Sequence, residues 1–287
     1  PRLMNPPMQI VHTISDLRDA LAGRGRPAFV PTMGNLHDGH LALVRQAKPL
    51  GSVMVVSIFV NRLQFLPHED FDSYPRTLEI DAGKLHAEGC DVLFAPAEKD
   101  LYPQPQTFKV QPDPRLADIL EGHFRPGFFT GVCTVVMKLL ACVFSGGPGT
   151  AVFGRKDYQQ VLVIRRMVEQ FALPIDIVTG DTCRAGDGLA LSSRNGYLDE
   201  AERAQAVQLS QALRALADAA LQLGASLPAL EAQAVERLRK QGWQPDYLTV
   251  RQRADLLPPA EAPQPGQLLV LGAARLGGTR LIDNLEF

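Results

Sequence analysis

The chain has 287 residues, 46% of them hydrophobic and 21% charged, with a formal net charge of −2. That composition belongs to a globular protein long enough to bury a substantial core, in one large domain or two of ordinary size. It argues against nucleic acid as a partner, which requires a basic surplus, and against a membrane, because no apolar run reaches the ~18 residues of a spanning helix.

From the N-terminus, residues 28–30 form a short apolar strand that ends in a glycine-bearing loop, and a helix follows over 40–48. Residues 53–60 are a continuous apolar strand rich in β-branched side chains, bounded by Gly51 and Asn61. Such a run suits a parallel sheet covered on both faces. A helix over 77–88 leads to a strand over 91–95, and a short helix over 117–120 precedes a longer apolar one over 130–144. A strand over 151–153, a helix over 159–171 and a strand over 175–178 close the series. This alternation predicts an α/β fold: a Rossmann-like, doubly wound parallel sheet with right-handed crossovers, in a domain over residues 1–181. The pattern then changes. Helices are expected over 200–223 and 227–241, and strands over 247–251, 267–271 and 280–283, with Gly277 and Gly278 turning between the last two. These elements predict a smaller C-terminal α+β domain over residues 182–287. The proline- and alanine-rich stretch 257–265 reads as an exposed loop.

Cys90, Cys133, Cys142 and Cys183 show no metal-ligand spacing and are expected as buried free thiols. The chain opens on Pro1, with Met4 or Met8 as candidate starts, and carries no signal-peptide pattern, so the expected location is cytoplasmic.

Two segments carry the chemistry. In Pro31-Thr-Met-Gly-Asn-Leu-His37-Asp-Gly-His40, Gly34 permits a tight turn outside a strand end, and a helix opens near Gly39. Free amides there favour an anion. His37 and His40, three residues apart, share one side and can donate to phosphate oxygens, with titration expected near neutral pH. In Asp187-Gly-Leu-Ala-Leu-Ser192-Ser193-Arg194-Asn195, two hydroxyls and a guanidinium suit a triphosphate, on a segment able to fold down once it is bound. Between them, Gly154-Arg155-Lys156-Asp157-Tyr158-Gln159-Gln160 also opens a helix after a strand. There Lys156 can neutralise departing pyrophosphate, Asp157 can accept from ribose hydroxyls, and Gln160 can bond a small polar substrate. Asn61 and Gln64, at the end of the second strand, can orient a hydroxy acid without adding charge. Each segment alone also fits a plainer role: a surface glycine turn, a capped helix, a polar interdomain turn or strand-end capping.

Together the segments PTMGNLHDGH, SIFVN, YPRTLE, LEG with RPG, KDYQQ and DGLALSSRNGYL resemble the pantoate–β-alanine ligases over residues 10–284. The resemblance implies condensation of pantoate with β-alanine, using ATP and Mg2+, through a pantoyl adenylate. It implies an ATP site built from Met33, Gly34, Asn35, Leu36, His37, Asp38, Gly39, His40, Gly154, Arg155, Lys156, Asp157, Cys183, Leu191, Ser192, Ser193 and Arg194. The catalytic set would be His40, His37, Lys156 and Arg194. Asn61, Gln64 and Gln160 would hold the small substrates, Asp81 would help place the metal, and Glu121 with Arg125 would order a gate loop. A homodimer through the first domain is likewise implied. Arg62, Phe128 and Arg155 depart from the family pattern, in which proline, histidine and glutamate are usual. Three other readings remain. A nucleotidylyltransferase would need a second cationic acceptor site, an aminoacyl-tRNA synthetase would need a basic surplus, and a nucleotide sensor would bind ATP without turnover.

Overall fold

The computed structural model describes residues 7–222, 224, 226–259 and 265–287. Six strands, β1 (Gln9–Val11), β2 (Pro27–Thr32), β3 (Val53–Ile58), β4 (Val92–Phe94), β5 (Gly149–Gly154) and β6 (Ile175–Gly180), form one sheet in the order β1-β4-β3-β2-β5-β6. Every pairing in it is parallel. The chain works outward from β2 through β3 to β4, then returns to place β5 on the other side of β2. That reversal makes a switch point, and the crevice outside the carboxyl ends of β2 and β5 is where a ligand fits an open α/β sheet. The two strands are directly paired, Phe29 opposite Ala151, so the loops that follow them emerge side by side.

Side-chain alternation splits the sheet between two cores. Phe29, Val53, Val55, Val92, Phe94 and Ala151 point to one face, beneath α1 (Ile14–Leu21), α7 (Phe128–Val143) and α8 (Tyr158–Gln170). Ala28, Val30, Met54, Val56, Leu93 and Val152 point to the other, beneath α2 (Asp38–Ala47) and α3 (Leu78–Ala87). The continuous apolar strands are therefore buried on both sides. No helix among the described residues is long and apolar enough to cross a membrane.

In the C-terminal part, α9 (Glu200–Gln205), α10 (Val207–Ala220) and α11 (Leu227–Lys240) precede an antiparallel sheet of β7 (Gln244–Gln252), β8 (Leu268–Leu276) and β9 (Thr279–Glu286), ordered β7-β8-β9. Strand β8 is also buried on both faces. Leu268 and Val270 join a core with Leu209 and Leu213 of α10, while Leu269 and Leu271 join the main core under the large sheet.

Four expectations need correction. Strand β1 and helix α1 are additional to the expected elements. The strand is three residues at the sheet edge, too short for a periodicity signal, although Thr13 caps α1 by accepting from Asp16 N at 3.1 Å. The helix expected over 117–120 is a break between α5 (Pro114–Ala117) and α6 (Glu121–Phe124). There Leu120 lies at φ 49°, and the Gln159 amide takes over the backbone bonds. It donates to Leu116 O and Ile119 O (both 2.8 Å) and accepts from Glu121 N (3.1 Å). The helix expected over 200–223 divides at the buried Ala206, where a Leu209 N to Ala206 O bond of 3.4 Å tightens the turn. Cys183 is half-buried, whereas Cys90, Cys133 and Cys142 are buried. Met4, the Leu223 helix end and residues 260–264 of the proline-rich loop lie outside the described residues.

Gly131 of α7 lies against the turn Arg62–Gln64 that follows β3. A Cβ there would overlap the Leu63 carbonyl and stand 2.8 Å from Gln64 N. Gly131→Ala is expected to lower stability by about 1–3 kcal/mol through overpacking. An unchanged urea midpoint at constant m-value would contradict this.

Candidate active site

The loop after β2 is held from beneath by α3. Asp81, only 1% exposed, accepts from Asn35 N (2.8 Å), Leu36 N (2.9 Å) and Thr77 Oγ1 (3.0 Å). Lys84 Nζ donates to Leu36 O at 2.6 Å. Gly34 takes φ 84°, and a Cβ there would crowd Asp81 Oδ2 at 3.1 Å. Asp81, expected beside a metal, is thus a loop anchor: its oxygens are taken by two amides and a hydroxyl, and it does not line the cleft.

Helix α2 begins with a capping box made of two histidines. Gly39 N donates to His37 Nδ1 (3.1 Å), His37 N donates to His40 Nδ1 (3.3 Å), and the ring centroids are 4.1 Å apart. Because each Nδ1 accepts, each ring carries its proton on Nε2 and can donate it. Burial, then the Lys156 charge, lowers His37 to about 4. Burial, then His37 and Lys156, lowers His40 to about 3. The expectation of near-neutral titration is therefore corrected: at neutral pH both rings are uncharged donors. The folded protein then binds fewer protons than the unfolded chain below pH ~6.5, so this contribution to stability is complete above that value and shrinks as pH falls toward the folded values. An NMR titration is expected to find neither imidazole with a midpoint between pH 5 and 8; a midpoint near 6.5 would refute the assignment.

After β5, the turn Arg155–Asp157 brings Lys156 and Asp157 to the same cleft, with Gln160 on the first turn of α8. Arg155 turns away: its guanidinium meets Asp181 at 2.7 Å and Glu286 at 3.6 Å, so it adds no free charge beside Lys156. The turn is held by Asn284 of β9, whose Nδ2 donates to the carbonyls of Arg155 (3.0 Å) and Lys156 (2.8 Å).

The serine-arginine segment closes on the first loop. Asn35 Nδ2 donates to Ser193 O (3.3 Å) and Ser193 Oγ donates to Asn35 O (3.1 Å). Leu191 N donates to Cys183 O at 2.9 Å, and Cys183 packs beside Gly39. Arg194 forms a two-pronged pair with Asp70, Nε to Oδ2 at 3.1 Å and Nη2 to Oδ1 at 2.9 Å. Nothing in the local pattern marks Asp70 as the partner of Arg194.

These loops surround one cavity of about 880 Å³, ample for a nucleotide and a small acid. Met33, His40, Asn61, Gln64, Lys156, Asp157, Gln160, Ser192 and Arg194 line it. His37, Gly34, Asn35, Leu36, Asp38, Gly39, Gly154, Cys183, Leu191 and Ser193 belong to the same loops without lining it. One wall is apolar, with Phe59, Phe128, Val132 and Val136. Asn61 is buried and already engaged: Nδ2 donates to Gln64 Oε1 (3.0 Å) and Gly131 O (3.2 Å), and Oδ1 accepts from Tyr102 Oη (3.2 Å). It holds Gln64, whose own amide reaches Met33 Sδ at 3.5 Å. Arg125 forks onto Glu69 (2.6 and 2.9 Å) and lies 3.8 Å over the Phe128 ring. Glu121 accepts from Arg280 of β9 (2.7 and 2.8 Å) and from Tyr247 Oη of β7 (2.9 Å). Burial pushes the Glu121 carboxyl up, but these donors and the guanidinium charges outweigh it and hold it below the usual range.

A family model described as pantoate-beta-alanine ligase matches residues 9–286. The chain is 74% identical over 282 residues to the pantothenate synthetase of Paracidovorax citrulli, covering 98% of this chain and 100% of that protein. It superposes on the crystal structure of pantothenate synthetase from Thermus thermophilus with a TM-score of 0.90 and 44% identity, over 97% of this chain and 99% of that one. A pantoate-β-alanine ligase from Francisella tularensis, crystallised in complex with "beta-gamma ATP" and β-alanine, matches with a TM-score of 0.77 and 33% identity over 97% of each chain.

Proposed function

The chain belongs to the pantoate–β-alanine ligase family and condenses pantoate with β-alanine using ATP; from that premise we propose how its residues divide the work. Convergence carries the reading: His40, Lys156 and Arg194 come from three segments of the chain and line one cavity at the switch point of the sheet.

In the first step a pantoate carboxylate oxygen attacks the α-phosphorus of ATP, the bond to the bridging oxygen breaks, and pyrophosphate departs. His37 and His40 donate neutral Nε2–H bonds to phosphate oxygens, and Lys156 offsets the charge gathering on the leaving group. Arg194 grips the triphosphate after exchanging its Asp70 carboxylate for phosphate oxygens. Ser192 adds a hydroxyl donor and Ser193 a second one on exchanging Asn35 O for phosphate, Asp157 and Gly154 meet the ribose, and the backbone about Cys183 and Leu191 meets adenine. In the second step the β-alanine amine attacks the acyl carbon of pantoyl adenylate, the acyl–phosphate bond breaks, AMP leaves and an amide remains. Gln64 and Gln160 orient the hydroxy acid, Asn61 fixes Gln64, and the apolar wall takes the methyl groups of pantoate. Holding two reactants in line can contribute roughly 7–11 kcal/mol.

Mg2+ would accompany ATP in this reading and would offset charge on its phosphates. Asp81 does not fit as its ligand, since its oxygens already accept three donors. Residues 1–181 are the nucleotide and pantoate domain and 182–287 the lid. The last strand of the large sheet ends at Gly180, although Leu269 and Leu271 tie the lid into the main core. We further propose a cytoplasmic homodimer, which sedimentation velocity would test. The deciding experiment for the chemistry is pantoate-dependent ATP–pyrophosphate exchange. Exchange without pantoate, or none with it, would sink the adenylate route.

A further inference from the structure

Asn284 lies outside every motif that the reaction demands, yet it joins the C-terminal sheet to the lysine turn. It is 4% exposed, and its Nδ2 donates to two consecutive carbonyls, Arg155 O at 3.0 Å and Lys156 O at 2.8 Å. The turn Arg155–Asp157 has no side-chain cap of its own, and the Arg155 side chain leaves it for Asp181 and Glu286. Asn284 is itself immobilised. Its N–H donates to Asp283 Oδ1 at 2.8 Å and its carbonyl accepts from Arg184 Nη2 at 3.1 Å. Arg184 in turn forks onto both Asp283 oxygens at 2.7 and 2.8 Å. A long lysine side chain loses considerable rotamer freedom when ordered. A turn fixed from outside presents its root in one place before ATP arrives, which is the preorganisation that charge stabilisation requires.

We propose that Asn284 is a positioning residue for Lys156, its amide holding the lysine turn so that the ammonium group is aimed at the departing pyrophosphate. This rests on the reading of Lys156 as the phosphate-neutralising group. It assigns the last strand a part in the first half-reaction only, because β-alanine attack releases no pyrophosphate.

The test compares Asn284→Asp, of the same shape but presenting an acceptor to the two carbonyls, with Asn284→Ala. Each is made alone and with Lys156→Ala, with thermal melting recorded first. Two rates are measured: pantoate-dependent ATP–pyrophosphate exchange, and β-alanine attack on supplied pantoyl adenylate. The exchange kcat is expected to fall about 10-fold in Asn284→Ala and about 100-fold in Asn284→Asp. The pantoate KM and the second rate should stay within about twofold, and the loss should vanish when Lys156 is already absent, as coupled residues require. Equal losses in both half-reactions, or a loss that persists unchanged in the Lys156→Ala background, overturn the proposal while leaving Lys156 in its role. Wild-type exchange in Lys156→Ala alone overturns the reading of Lys156 and this proposal with it. Should Asn284→Asp not fold, Asn284→Ala supports the same comparison.

Discussion

Replacing Lys156 with alanine is expected to cut pantoate-dependent ATP–pyrophosphate exchange at least ~100-fold with the fold intact, the scale seen when one donor to developing charge is removed. Lys156 lines the cavity with His40 and Arg194, and of the four cationic or imidazole groups it alone adds a full charge without an existing partner carboxylate in its hydrogen bonds. Arg194 must first leave Asp70, and both histidines are neutral. The same variant carries an independent signature. Lys156 is among the causes that depress both imidazoles, after burial for His37 and after burial and His37 for His40. Both should therefore titrate higher in Lys156→Ala, while burial keeps them below the usual histidine range. His40→Ala should also reduce exchange at least ~100-fold, since it removes a preorganised Nε2–H donor. Near wild-type pyrophosphate release in either variant would refute the assigned role.

The second large effect is on stability. Arg280→Ala is expected to lower unfolding free energy by about 3–5 kcal/mol, the cost of stripping one partner from a buried ion pair. Side-chain exposure in the pair is only 16% for Arg280 and 10% for Glu121. Arg125 remains 3.8 Å away but is already committed to Glu69. The pH dependence gives the sign. In the wild type the Glu121 carboxyl is held below the usual range, so its contribution is complete above the unfolded value near 4.5 and is lost as pH falls through the folded value. Without Arg280, burial dominates and raises the carboxyl, so the folded variant takes up a proton that the unfolded chain does not. Its stability deficit should then narrow between pH 7 and 5. A urea midpoint equal to wild type, or a deficit independent of pH, would contradict this account.

Much of the site is legible in the sequence because the chemistry is local. A glycine turn, two histidines and a helix start lie within ten residues of one strand end, and the β-branched run at residues 53–60 announces a buried parallel strand. Thr13, three residues before Asp16, is a readable cap for helix α1, although the strand before it leaves no periodic signal. The break at Leu120 is not readable, because the amide that replaces the helical bonds belongs to Gln159, almost forty residues away in the chain. The weak basicity of His37 and His40 is equally hidden. Residue type sets a reference value, but burial and neighbouring charge set the departure from it.

The order of residues thus dictated the alternation of strands and helices and which loops end at strand tips, since both follow from periodicity and short-range turn geometry, while the reaction class followed from the resemblance of its motifs to those of the pantoate–β-alanine ligases. Folding chose the partners of the charged and polar groups: Arg194 with Asp70, Arg155 with Asp181, Glu121 with Arg280, and the Asn284 amide with the lysine turn. Those pairs join positions far apart in the chain, and a long-range contact leaves no trace in local spacing. It becomes fixed only when folding brings the two groups together, and where both leave water, as Glu121 and Arg280 do, an unpaired one is costly.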